Sequence, residues 1–184
     1  MIKDYDYFLD RFLTKLYLQE KEQVKQMSAR ERYAYFLLSY WNNPYLWGQE
    51  NAEGADCSGA VSFAIIGATG FKIRTTANGL YKNIFTNRPN GIDAVFWKTK
   101  IERKYPQKTY PAGAIEHIAG IVDKNVILNM TWPKARLEPL PAAIIKAERD
   151  QYEIDIRGLN MNACEKYSGK MFYGVDKKLK ELFI

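Results

Sequence analysis

The chain has 184 residues and a mass of 21.3 kDa. At roughly 100–200 residues per domain this argues for one domain, large enough to bury a core without metal or disulfide staples. Hydrophobic residues make up 47% and charged residues 26%, ordinary usage that excludes disordered and fibrous classes. Lysine and arginine number 27 against 21 acidic residues, a net charge of +6 that favours an anionic partner without choosing its kind.

In chain order, Met1 to Asp6 alternates charge with aromatics and has no apolar core, so it does not read as a secretory signal. Phe8, Leu9, Phe12, Leu13 and Leu16 make one apolar stripe of a helix, and Glu20 to Lys25 is polar. Ser28-Ala29-Arg30-Glu31 is a capping box that opens a second helix with Tyr33, Phe36, Leu37 and Tyr40 as its stripe. Trp41-Asn42-Asn43-Pro44 is expected to end it. A turn-rich stretch from Gly48 to Gly54 leads to a small-residue helix from Asp56 or Cys57 to about Ile66, with Gly67 and Gly70 as terminators. Thr75 to Phe85 reads as a further helix weakened by Gly79. From Ile92 the character changes, and Ala94–Trp97, Ile115–Val122, Val126–Met130 and Tyr152–Ile156 read as short strands. Helices first and strands afterwards indicate an α+β domain, 1–184, with 1–32 as an N-terminal helical extension. The longest uncharged run, Cys57 to Phe71, is broken by Gly and Ser and falls short of the ~20 residues of a membrane span.

Two cysteines and one histidine are too few for a disulfide framework or a structural zinc site. Cys57 stands at the expected helix start, where the helix dipole lowers a thiol's pKa; the alternative is a small core cysteine, and the residues alone do not decide. His117 lies on a strand whose alternation puts it on one face with Ala119 and Ile121. A strand histidine is either merely packed or catalytic. If Asp123-Lys124-Asn125 is a three-residue loop, Val122 pairs with Val126 and Asn129 falls diagonally from His117, within reach of a side chain. A two-residue loop would turn Asn129 to the other face. With the longer loop, Asn129 can hold one imidazole nitrogen while the other serves a thiolate, the cysteine–histidine–amide arrangement of papain-like enzymes.

Pro44-Tyr45-Leu46-Trp47-Gly48, then Gly54-Ala55-Asp56-Cys57-Ser58-Gly59, resembles the nucleophile motif of the NlpC-type cell-wall cysteine peptidases. The resemblance continues through Arg74-Thr75-Thr76-Ala77-Asn78, the strand Asp93–Trp97 and the His117 strand, covering about Tyr33 to Trp132. It implies a papain-like fold with helices packed on an antiparallel sheet. It implies Cys57 as nucleophile, His117 as base and Asn129 as orienting residue. Tyr45, Asp56 and Ser58 would bind substrate, Tyr45 beside the nucleophile and the other two facing the amine of a peptide stem. Gln49 stands where the family has glycine, Glu116 where a small or hydroxyl residue is usual, and Ala119 where glycine is preferred. The segment Lys98–Gly113 is longer than the usual link and rich in lysine and arginine, either a basic rim of the cleft or a solvated hairpin.

The resemblance implies a cysteine peptidase or amidase acting on peptidoglycan stem peptides at the bond between D-glutamate and a diamino acid, with no cofactor and no metal. An acyltransferase or amidase on lipid or protein amides would use the same Cys–His pair. A binding module with a decayed triad is a further alternative, favoured by Gln49 and Glu116. Nucleic-acid binding is not expected, because the basic residues are dispersed and no recognised motif appears. The oligomeric state stays open. Without a signal, the protein is expected to be cytoplasmic in its producer or exported by a non-classical route to the wall.

Overall fold

The computed structural model describes residues 19–51, 54–106 and 108–170. The stripe Phe8–Leu16, and with it most of the extension expected over 1–32, lies outside the described residues. The polar α1 (Gln19–Gln26) precedes α2 (Ala29–Leu38), which runs across residue 32. The capping box of α2 forms as read: the Ser28 hydroxyl accepts from the Glu31 N–H, and Glu31 accepts from the Ser28 N–H at 2.7 Å. Such a cap is worth about 1 kcal/mol. Tyr33, Phe36 and Leu37 are buried, each large aliphatic or aromatic side chain contributing about 1.5–3 kcal/mol. Asn42, at φ 68°, leaves the helical region two residues before Pro44.

The short pair β1 (Glu50–Asn51) and β2 (Gly54–Ala55) leads into α3 (Cys57–Thr69). Every residue of α3 except Thr69 is buried, and its small side chains let neighbours approach from several sides. Gly67 is not a terminator. A Cβ there would lie 2.0 Å from the Phe36 ring, so Gly67 is the point where α2 crosses α3. The helix runs on to Gly70, which caps it at φ 76°. The next helix, α4 (Ala77–Asn83), is shorter than the span 75–85, because Thr76 caps it through the Gly79 N–H.

The main sheet is antiparallel throughout. Its strands are β3 (Phe85–Thr86), β4 (Asp93–Thr99), β7 (Ile115–Asp123), β8 (Val126–Asn129), β9 (Arg136–Pro139) and β10 (Tyr152–Leu159), in spatial order β3-β10-β4-β7-β8-β9. A separate hairpin, β5 (Arg103–Tyr105) and β6 (Lys108–Tyr110), lies between β4 and β7 in sequence. Side chains alternate across the sheet. Ala94, Phe96, Ile118 and Leu128 face the layer of α2 and α3, while Val95, Trp97, Ala119 and Ile127 face Leu140, Ala143 and Ala147 of α5 (Leu140–Arg149). Neither α5 nor α6 (Met161–Tyr167) was expected. The fold is α+β with helices ahead of an antiparallel sheet, as read, and α5 adds cover on the second face.

The turn between β7 and β8 corrects the expected three-residue loop. Asp123 pairs with Val126 across a two-residue turn, and the register then shifts so that Ile121 pairs with Ile127 and Gly120 with Leu128. Val122 is therefore a bulge that restores the pairing a two-residue turn alone would have lost. Asn129 keeps the face it needs. A second bulge between β4 and β7 pairs Trp97 with His117 but Lys98 with Ile115, leaving Glu116 as the extra residue beside the histidine. Among the described residues, no helix is long and apolar enough to cross a membrane.

Candidate active site

Asp56 starts α3 as its N-cap, with its Oδ1 accepting from the Gly59 N–H at 2.6 Å and from the Ser58 hydroxyl at 2.9 Å. Its Oδ2 accepts from the Gly48 N–H at 3.0 Å and from Arg74 Nη2 at 3.2 Å. Arg74 is 3% exposed and also donates to the Ser58 hydroxyl and to its neighbour's carbonyl, Thr75 O. Gly59 has a separate reason to be glycine: a Cβ there would stand 2.1 Å from the Gln49 carbonyl, which accepts from the Asp56 N–H. Gln49 thus contributes through its backbone, which any residue supplies. Asp56 and Ser58 flank the nucleophile position and line the cleft, and both are held by a buried arginine.

Cys57 is the first residue of α3, nearly covered, and free. Burial first, and then the Asp56 carboxylate, push its thiol up to about 12, against the backbone N–H groups of Ile118 and Ser58 and the Arg74 charge, which pull it down. The expectation of a lowered thiol pKa is therefore reversed. Desolvation of the charged form outweighs the amide N–H groups at the helix start. Cys164 is also buried and free, and burial pushes it up to about 12 as well. The Tyr45 hydroxyl hydrogen-bonds Cys57, and burial first, followed by the neighbouring Cys57 and Asp56 groups, raises the phenol. Tyr45 is anchored by its N–H to the Pro133 carbonyl at 2.9 Å.

His117 Nε2 lies 2.7 Å from Asn129 Oδ1. An amide oxygen only accepts, so Nε2 carries the proton and Nδ1 keeps its lone pair in the neutral ring. The Trp97 ring meets the imidazole edge-on at 4.9 Å between centroids. Burial holds His117 below its ordinary value, opposed by the Asn129 bond and by the charges of Glu116, Glu138 and Asp56. Burial thus disfavours the charged form of both the thiol and the imidazole.

Cys57, His117, Asn129, Tyr45, Asp56 and Ser58 all line one cleft of about 490 Å³. The structure brings together every site residue expected from the sequence. It adds Glu138 and Arg74, which the sequence reading did not place in the site. Glu138 on β9 accepts from Asn129 Nδ2 at 3.1 Å, and Arg74 holds both flanks of Cys57. The hairpin β5–β6 puts Tyr105, Lys108 and Tyr110 into the cleft wall, while Lys104 stays solvated. It is pinned there: Tyr105 Oη donates to Glu116 Oε1 at 2.5 Å, and Arg103 Nε lies 3.7 Å from Glu116 Oε2. Arg103 also donates to the Asp150 carbonyl and covers the Tyr152 ring at 4.2 Å. Glu116, a departure in sequence, is thus the anchor of a cleft wall. Among the described residues no three His, Cys, Asp or Glu side chains gather as a metal site.

A cysteine at a helix start, with a strand histidine tied to an amide on the next strand in the same cleft, is the arrangement of a papain-like α+β domain. Solved structures agree on the fold. NlpC2 from Trichomonas vaginalis is similar at 17% identity and TM-score 0.54, over 74% of this chain and 49% of that one. NlpC1 from the same organism gives 13% identity and TM-score 0.51, over 71% and 44%. A Staphylococcus aureus protein described as similar to a lipoprotein of the NLP/P60 family gives 19% identity and TM-score 0.52, over 71% and 41%. The chain spans about half the length of these structures or less. No family model and no curated protein matches the sequence. The fold is the papain-like fold of NlpC/P60 proteins.

Proposed function

We propose that this chain is a cysteine peptidase or amidase that hydrolyses amide bonds in peptidoglycan stem peptides, at the bond between D-glutamate and a diamino acid. The observation that carries the reading is the His117–Asn129 bond in the cleft of Cys57, which leaves Nδ1 as the free base. With burial disfavouring both charged forms, the Cys57 proton passes to His117 Nδ1 as Sγ attacks the carbonyl carbon. The oxyanion is met by the Cys57 backbone N–H and the Tyr45 hydroxyl. As the C–N bond breaks, the imidazolium gives its proton to the leaving amine, and a thioester remains. Water, losing a proton to His117, then attacks the thioester, and Sγ leaves as the thiol.

Asp56 and Ser58, both held by Arg74, line the cleft and would face the stem's free amine, and Tyr105, Lys108 and Tyr110 of the β5–β6 hairpin line the same cleft. Gln49 and Glu116, the residues that favoured a non-catalytic module, have structural work of their own in the Asp56 loop and the hairpin anchor. The test is incubation with purified muropeptides and mass analysis of the products. Fragments cut between D-glutamate and the diamino acid support the reading; intact stem peptides after exposure to folded protein contradict it.

A further inference from the structure

We propose that Glu138 is a positioning residue for His117, acting through Asn129: its carboxylate decides which end of the amide meets the imidazole and backs that hydrogen bond with negative charge. This rests on the reading of Cys57, His117 and Asn129 given above and deepens it. The two bonds run in series, His117 Nε2 to Asn129 Oδ1 at 2.7 Å and Asn129 Nδ2 to Glu138 Oε2 at 3.1 Å. An ionised carboxylate can only accept, so the NH2 end of the amide must turn to Glu138. The oxygen is then left for the imidazole, and it accepts only from a protonated Nε2. The lone pair must therefore sit on Nδ1, where a base for Cys57 is needed. A bare asparagine could flip and present its NH2 group to the ring, fixing the opposite tautomer.

The placement follows from the strand register. Ile127 pairs with Glu138 and Asn129 with Arg136, so Glu138 shares the sheet face of Asn129 one diagonal away. Asn129 is 8% exposed, which makes an unmatched amide costly and the orientation firm. The other charged or titratable groups lining the cleft with His117 are Glu116 on its own strand, Asp56 and Cys57 at the start of α3, Lys146 on α5 and Asp150 at its C-cap, Lys108 on the hairpin, and the phenols of Tyr45, Tyr105, Tyr110 and Tyr152. Glu116 and Asp56 each pair with an arginine, whereas Glu138 spends its carboxylate on the amide that touches the ring. The amide oxygen favours imidazolium by accepting from the ring, and Glu138 behind it adds a negative charge to the unit.

His117 is the only histidine in the chain, so its ring signals in NMR are unambiguous. In the wild type, the ring nitrogen shifts should show the Nε2–H tautomer of the neutral form; an Nδ1–H tautomer overturns the proposal whether or not any variant folds. Glu138→Gln keeps an acceptor for Asn129 and removes the charge. Its His117 titration midpoint should fall by about half a pH unit or more, and Glu138→Asp should recover most of that fall at an unchanged thermal midpoint. A midpoint equal to wild type in folded Glu138→Gln overturns the proposal. Both readouts need no substrate, so they are decided separately from whether a stem peptide is cleaved.

Discussion

Asp56 and Arg74, 18 positions apart in sequence, meet at 3.2 Å beneath the candidate nucleophile, with side chains only 13% and 4% exposed. The pair ties the N-cap of α3 to the segment that opens α4, so the position of Cys57 depends on a contact outside its own helix. Removing one partner of such a pair leaves an uncompensated buried charge. Arg74→Leu should lower stability by about 3–5 kcal/mol in denaturant unfolding. A loss below 1 kcal/mol would mean that Asp56 finds water or another donor.

The raised thiol gives Cys57 a distinctive pH behaviour. With the thiol pushed up to about 12, its thiolate fraction grows tenfold per pH unit through the neutral range. Alkylation of Cys57 should therefore climb steadily from pH 6 to 9. A plateau across pH 5–8 would show a preformed thiolate–imidazolium pair instead. The acid limb of kcat/KM reports protonation of His117. Since burial lowers that value, the base persists below the ordinary imidazole pKa, and the midpoint of the limb should lie below about 6.5.

Asn129→Ala should lower kcat by roughly 10- to 1,000-fold, about 1.4–4 kcal/mol at 1.36 kcal/mol per decade. Asn129→His should retain more, because an imidazole can accept from His117 on one nitrogen and donate to Glu138 from the other. Equal losses in the two variants would show that the amide itself, rather than any bridge between His117 and Glu138, is required.

Tyr45→Phe removes the hydroxyl that bonds Cys57 and keeps the ring that packs near Trp47 at 6.5 Å. Loss of one donor to the developing oxyanion should reduce kcat by about 100- to 1,000-fold with little change in thermal midpoint. Steady-state kinetics and a thermal melt on the same preparation check both halves.

The motif around Cys57 was legible because helix start, cap and small residues are local features: Asp56 caps, and Gly59 clears the crossing loop. Asn129 was placed on the right face by register arithmetic, although the turn that sets the register is two residues plus a bulge at Val122 rather than three residues. Glu138 was missed because β9 is only four residues long and ends in Pro139, too short for alternation to show. The cleft role of the β5–β6 hairpin depends on Arg103 and Tyr105 reaching Glu116 and the end of α5, contacts between distant segments that leave no periodic signal. Burial has the same character. A helix start predicts a more acidic thiol, and only the packed surroundings reveal that desolvation wins.

The central claim is that Cys57 is the nucleophile, and turnover of a purified stem peptide by the two cysteine variants tests it most directly. Cys57→Ala should fold, as judged by circular dichroism, and lose at least about 1,000-fold in kcat/KM. Cys164→Ala, which alters a buried thiol on α6 away from the cleft, should turn over like wild type if folded. Undiminished hydrolysis by Cys57→Ala would contradict the cysteine mechanism outright.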